Sequence, residues 1–343
     1  MTAAHMAGTL IASTPTILGY FPQQSLVVMT FRRGHLGATT AIDLPSDNDY
    51  TLANLTDWAV SVRAEAAVAI VVDAHAGTAA RLTAHRGLTQ ALDHTLGLRD
   101  VRLLATHVVP EISAGAKWVC GDGCGADGLV DDPATTPVAI VGVVTGRRVY
   151  ASQSAQSAAV EIVDIQRTAA LADLIEANIG TAAADECDDQ TARRAIEHAL
   201  AVAKRVSRGS QLRDADYIEL ARTLTNARVR DMLLGMVVTS KAPRAEVLWT
   251  VLARSLPHPW RVEALVMLGF FAFGRGDQPL AAVAVAAALQ SNPAHRMADT
   301  LNVALRTGRR PKQIWELGEF AYGVAQLAGV RMPRRIVHTR RPT

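Results

Sequence analysis

The segment Ala67–Asp73, AVAIVVD, constrains the fold of this chain more than any other. It is an uninterrupted apolar stretch, rich in β-branched residues, that ends on a carboxylate. A strand with one wet face alternates apolar and polar residues; a continuous apolar run marks a strand buried on both faces. Such a strand needs a covering layer on each side, so this half of the chain reads as α/β, a mixed sheet with flanking helices. The surrounding segments agree. Ser25–Arg32 (SLVVMTFR) and His35–Asp43 read as two strands joined by a tight turn at Arg33-Gly34, the pattern of a hairpin. Asp100–Val109 reads as a further strand. Helices are expected over about Tyr50–Glu65, capped by Asp47 or Asp49, and over Gly77–Leu98. Two short strands, about Ala116–Cys120 and Leu129–Asp131, are expected around a glycine-rich loop. Pro137–Val144 is apolar throughout, and its length fits a strand or a short helix equally.

From about residue 154 every long segment has helical periodicity: Ser157–Asn178, Asp189–Ser207, Asp216–Thr225, Arg228–Val238, Ala245–Ser255, Trp260–Gly274, Pro279–Ser291, Ala294–Arg306 and Pro311–Leu327. Gly180–Asp189 reads as an acidic linker. The expected organisation is an α/β domain over 8–154, an all-α domain over 155–328 and a basic, disordered tail over 329–343. Within the helical half, 264–293 reads as a TPR-like helix pair (260–293 with the start of its first helix). Leu268-Gly269 lies in that helix, Gly276-Asp277 at the turn, and Ala281, Ala282 and Ala288 in the second helix. One such pair is not an array, and about three repeats are needed for a stable solenoid. It serves either as a peptide groove or only as packing.

Charge separates the halves. Residues 1–150 hold 10 basic against 13 acidic residues, and the remainder 25 against 19. Arg331, Arg334, Arg335, Arg340 and Arg341 crowd the tail with no acid among them, so the body is near neutral and does not read as a general nucleic-acid binder. Three cysteines, an odd number, argue against a disulfide framework and for a reducing, cytoplasmic setting. The longest purely apolar run, Leu280–Leu289, is half of what a spanning helix needs. No basic segment precedes the apolar N-terminal stretch, which Pro15 interrupts, so no secretory leader is expected.

The stretch Pro15-Thr16-Ile17-Leu18-Gly19-Tyr20-Phe21-Pro22-Gln23-Gln24-Ser25-Leu26-Val27-Val28 resembles the opening of an actinobacterial domain-of-unknown-function family, DUF4192. Ile42-Asp43-Leu44-Pro45, Val229-Arg230-Asp231 and 264–293 resemble its later elements, so the resemblance covers roughly 8–328. It implies arginines at two positions where this sequence has Ala41 and Gln153. It implies a fold and no activity.

Six residues are candidates for a ligand site. Gly19, Gln23, Gln24 and Ser25 belong to the stretch Pro15–Ser25, read as a loop feeding the first strand. Asp43 and Asp73 follow predicted strands, and ligands of α/β proteins often sit at strand carboxyl ends. Each of these has a structural reading beside the functional one: a glycine that shapes the path, a carboxylate that caps a turn. Cys120 and Cys124 supply half of a tetrahedral zinc site, without a recognised spacing to complete it; free thiols are the alternative, and no other cofactor is expected. The glycine-rich GDGCGADG lacks the lysine of a phosphate loop. The histidines, among them His75, His85 and His107, share no ligand spacing, and no catalytic motif occurs. The sequence thus favours a non-enzymatic interaction or regulatory protein with protein partners. The alternatives are a small-molecule or nucleotide-binding enzyme built on the α/β half, and a nucleic-acid-associated protein acting through the arginine tail.

Overall fold

The computed structural model describes residues 3–44, 48–179, 187–307 and 312–336. The chain forms two compact units, 1–156 with 304–309 and 157–303 with 310–343.

The first unit is built on a six-stranded mixed sheet. Its strands are β1 (Ser25–Arg32), β2 (His35–Asp43), β3 (Ala66–Val72), β4 (Arg102–Val109), β5 (Lys117–Cys120) and β6 (Asp127–Leu129), in the order β2-β1-β3-β4-β5-β6. β1 and β2 form the expected hairpin. Arg33 and Gly34 both take positive φ, 51° and 75°, as a two-residue turn matched to strand twist requires. β3 is buried at all seven positions. It pairs antiparallel with β1 and parallel with β4. The parallel step crosses over through α3 (Ala79–Gly97), whose first turn Thr78 caps.

The alternation hidden in AVAIVVD appears in the core. Ala67, Ala69 and Val71 face Leu88, Leu92 and Leu96 of α3 and Leu52 and Leu55 of α2 (Asn48–Ser61). Ile70 and Val72 face Ala7, Ile11 and Ala12 of α1 (Ala3–Leu18) on the opposite side.

Helix α1 corrects the sequence reading. Pro15–Leu18 is not loop but the last turn of a helix that carries Pro15 within it. Proline deletes one amide donor; near the end of the helix that single loss is tolerated, and Gly19 N–H still donates to the Pro15 carbonyl at 2.8 Å. The segment Pro137–Val144 is helix α4, with Thr136 as its cap and Pro137 in its first turn. It packs on α1 through its small residues: Ala139 and Gly142 are buried, and a Cβ on Gly142 would lie 3.3 Å from Thr16 Cγ2. A one-turn helix, α5 (Gln153–Ser157), follows.

The second unit holds α6 (Ile165–Ile179), α7 (Asp189–Val206), α8 (Asp214–Thr225), α9 (Ala227–Leu233), α10 (Ala242–Ala253), α11 (Trp260–Arg275), α12 (Gln278–Ser291), α13 (Arg296–Arg306) as far as Val303, and α14 (Lys312–Leu327). The single helix expected over Ser157–Asn178 is broken, because Asp164 accepts from Arg167 N–H at 2.8 Å and starts a new helix there. The helix expected over Arg228–Val238 tightens to a 3-10 turn at Leu234–Val238. Gly235 there lies against the α14 backbone, where a Cβ would fall 2.6 Å from Tyr322 N. α11 and α12 pack against each other, turned at Gly276 (φ 85°). Gly269 is the close-approach point, with no room for a Cβ beside Val285 Cγ2 at 2.8 Å. Residues 180–186, most of the expected acidic linker, lie outside the described residues. Among the described residues, no helix is long and apolar enough to cross a membrane.

Candidate functional site

Asp73 stands at the carboxyl end of β3, and its side chain is fully buried. Oδ1 accepts from His75 N–H at 2.9 Å and from the Gln24 side-chain amide at 3.2 Å; the Gln24 carbonyl in turn accepts from Ala74 N–H at 3.1 Å. Oδ2 meets His85 Nε2 of α3 at 2.8 Å and faces Arg81 Nε at 3.7 Å. Burial works to raise the Asp73 pKa, but the bonds from His75, His85 and Gln24, aided by the Arg81 charge, outweigh it and hold the carboxyl below its usual range. Both oxygens are occupied. The carboxylate ties β3, α3 and the segment before β1 together.

Gln24 reaches Asp73 because the ladder sets Ser25 opposite Val72, with Asp43 on the other side of Ser25. Gln24 itself takes φ 46°, and its carbonyl accepts from Leu44 N–H. Of the sequence candidates, Gln24 and Asp73 therefore touch, and Ser25 and Asp43 sit at the same sheet end. Ser25 Oγ turns back to the Gln23 carbonyl at 2.6 Å, and Gln23 and Asp43 are exposed. Gly19 (φ 82°) ends α1. Burial, with the Asp43 charge adding to it, raises the Tyr20 phenol pKa.

The cysteine loop lies elsewhere. Cys120 pairs with His107, which pairs with Ile70, two residues short of Val72. β5 is antiparallel to β4 and carries the chain away from Asp73; Gly121 N–H bonds the Thr106 carbonyl at 2.7 Å. Within the loop, Cys120 Sγ donates to Asp122 Oδ1 at 2.9 Å, and Cys124 N–H donates to the same oxygen at 2.8 Å. Ligand atoms of Cys120, Asp122 and Cys124 all lie within 4.8 Å of one another. Burial and the Asp122 carboxylate push the Cys120 thiol up to about 12, while Asp122 is lowered by the same bonds. Two shallow grooves flank the loop. One, about 280 Å³, is lined by Leu82, Arg86, Val108, Cys120 and Asp127, and the other, about 200 Å³, by Arg86, Thr89, Thr106 and Asp122. Cys187, the third cysteine, is in the second unit at the start of α7.

A family model described as a domain of unknown function, DUF4192, matches residues 8–312. The chain belongs to this family. The match covers the whole sheet, α4, the cysteine loop and the α11–α12 pair, and stops at the first residue of α14. No curated protein and no solved structure matches the chain.

In this DUF4192 chain the arginines of the C-terminal stretch divide. Residues 329–336, expected as the start of a disordered tail, run beside the 3-10 turn and α14: Ser240 N–H bonds the Arg334 carbonyl, Ile336 N–H bonds the Val238 carbonyl, and Val330 is buried. Arg331, Arg334 and Arg335 are all exposed, and Arg335 lies over the Tyr322 ring at 5.6 Å. Arg340 and Arg341 lie outside the described residues. Sequence reasoning missed His85, Arg81, Asp122 and Arg86 as partners of these sites. His85 carries a signal in retrospect: it falls on the buried face of α3 with Leu88 and Leu92, where a histidine needs a polar partner.

Proposed function

We propose that the chain is a non-enzymatic, cytoplasmic interaction module that docks an uncharged apolar surface of a partner protein onto α4. The observation that carries this reading is the inverted packing of that helix. Its small residues face α1, and its large aliphatics face out: Ile140 is 57%, Val141 59%, Val143 78% and Val144 82% exposed. Spacings of three and four residues place these side chains on one helix face. They present on the order of 400 Å² of aliphatic surface, the size of the largest apolar patch on a typical monomer, which is often functional. A standard interface takes about 800 Å² per partner, so α4 supplies the apolar centre of one. The helix carries no charge, so the complementary surface is apolar too, and specificity falls to the rim, where Arg148 is exposed.

The alternatives draw less support. An enzyme using Asp73 would need a free carboxylate oxygen, and both are engaged within the fold. A TPR-like groove on the α11–α12 pair would need an open face on α11, which is buried from Ala264 through Gly274. A nucleic-acid contact through the tail rests, among the described residues, on the exposed Arg331, Arg334 and Arg335, of which Arg335 already lies over a ring.

A photo-crosslinker placed at Val143 tests the docking. The expected product is a cross-link to a different protein, lost when Val144→Asp is added. A cross-link only to a second copy of this chain would replace the heterologous partner with self-assembly. No cross-link at all would remove α4 as a docking surface.

A further inference from the structure

We propose that Cys120, Asp122 and Cys124, with His107 as fourth ligand, bind one thiophilic divalent cation of the zinc class. This goes beyond the docking reading and does not depend on it.

Donor chemistry is the first argument. Two thiols, a carboxylate and an imidazole are the ligand types that zinc takes in four-coordinate sites, with bonds of about 2.0–2.3 Å. In a tetrahedron of such bonds, ligand atoms stand about 3.3–3.8 Å apart. The three loop ligands are already within 4.8 Å of one another, and Cys120 Sγ is 2.9 Å from Asp122 Oδ1. The remaining ångström is within the reach of side-chain rotation at Asp122 and Cys124, both of which are exposed.

His107 is 8% exposed, and its Nδ1 is buried with no hydrogen-bond partner. An unsatisfied buried polar atom is costly, and this one invites an explanation. His107 is directly opposite Cys120 across the β4–β5 ladder, so the two side chains leave the same face of the sheet with Cβ atoms about 4.5–5.5 Å apart. The ring stands edge-on to Trp118, with centroids 4.8 Å apart, and would have to come closer to the loop ligands, which cluster without it.

Charge closes the case. A divalent cation with two thiolates, one carboxylate and a neutral imidazole leaves a net charge of about −1. Arg86 supplies the counter-charge: its guanidinium lies alongside Gly123, with Nε 3.4 Å from where a Cβ would stand. Binding converts two thiols to metal thiolates and releases their two protons to the buffer; Asp122 enters already ionised.

The test is a titration of the full-length, reduced, chelator-treated protein with Co²⁺ and then Zn²⁺. The expected result is one equivalent bound, a sulfur-to-cobalt charge-transfer band with strong tetrahedral visible bands, and displacement by Zn²⁺. Cys124→Ser changes an exposed side chain and should leave the circular dichroism spectrum intact. It should weaken binding at least about 100-fold, beyond the 10–100-fold typical of an outer-shell change. His107→Asn should keep the charge-transfer band, shift the visible bands and weaken binding at least about tenfold. Absence of the thiolate band in the wild type, or equal affinity in Cys124→Ser, overturns the site. An unchanged spectrum in His107→Asn overturns its assignment as the fourth ligand.

Discussion

Asp73 holds its charge in a place sealed from water, and four neighbours make that possible: His75, Gln24, His85 and Arg81. Its native pKa lies below the unfolded value, so it adds stability that is complete above about pH 4, the unfolded range, and is lost as the pH falls through the native pKa. Asp73→Asn leaves His85 and Arg81 without their anion. Urea unfolding should show a loss of about 2 kcal/mol at neutral pH, in line with hydrogen bonds to charged groups, and a flatter acid limb. An unchanged acid limb would remove Asp73 as its origin. Asp216 behaves alike in the helical unit. Burial works to raise its pKa, but bonds from Arg213 and Arg205 bring it down to about 2. Asp216→Asn should cost about 2 kcal/mol above pH 4 and little near pH 2, read from the same melts.

At the scale of elements, small residues decide which helices touch. α14 approaches the 3-10 turn at Gly235, where a Cβ would sit 2.6 Å from Tyr322 N and 2.7 Å from its Cα. These are backbone atoms, so a rotamer change cannot relieve the clash. Gly235→Ala should cost at least about 3 kcal/mol, the upper end for overpacking, whereas Gly87→Ala, on a helix with open space around it, should be neutral or stabilising. Equal unfolding midpoints for the two variants would disprove the close approach. The same logic explains α4. Its sequence is apolar at every position except Gly142, so periodicity gives it no inner face; only the proximity of α1 selects Ala139 and Gly142 for burial.

Across the whole molecule, the outward aliphatics of α4 separate stability from assembly. Val143 and Val144 are 78% and 82% exposed, so Val143→Asp with Val144→Asp should leave the unfolding free energy of the isolated chain within about 0.5 kcal/mol per site. The same pair should abolish partner capture. A large loss of stability in the double variant would mean that the two valines are needed by the fold itself.

Local chemistry determined much of this protein. The β1–β2 hairpin was legible because Arg33-Gly34 is a turn between two apolar runs. β3 was legible because its β-branched apolar run is bounded by polar residues and ends on a carboxylate. The helix pair around Gly276 was legible from its small residues and turn. These features follow from hydrogen bonding and burial over a few residues, which sequence records directly. α1 was not legible, because Pro15 forbids a helix locally and only packing against Ile70 and Val72 makes one worthwhile. The strand-end candidates were half legible. Asp73 and Gln24 were marked by position, yet their contact depends on the β1–β3 register, and His85 enters from a helix 12 residues on. Cys120 and Cys124 were visible as a pair, but His107 joins them only through strand pairing. Tertiary structure alone decided which polar groups meet and which apolar faces stay uncovered, because both depend on neighbours distant in the chain.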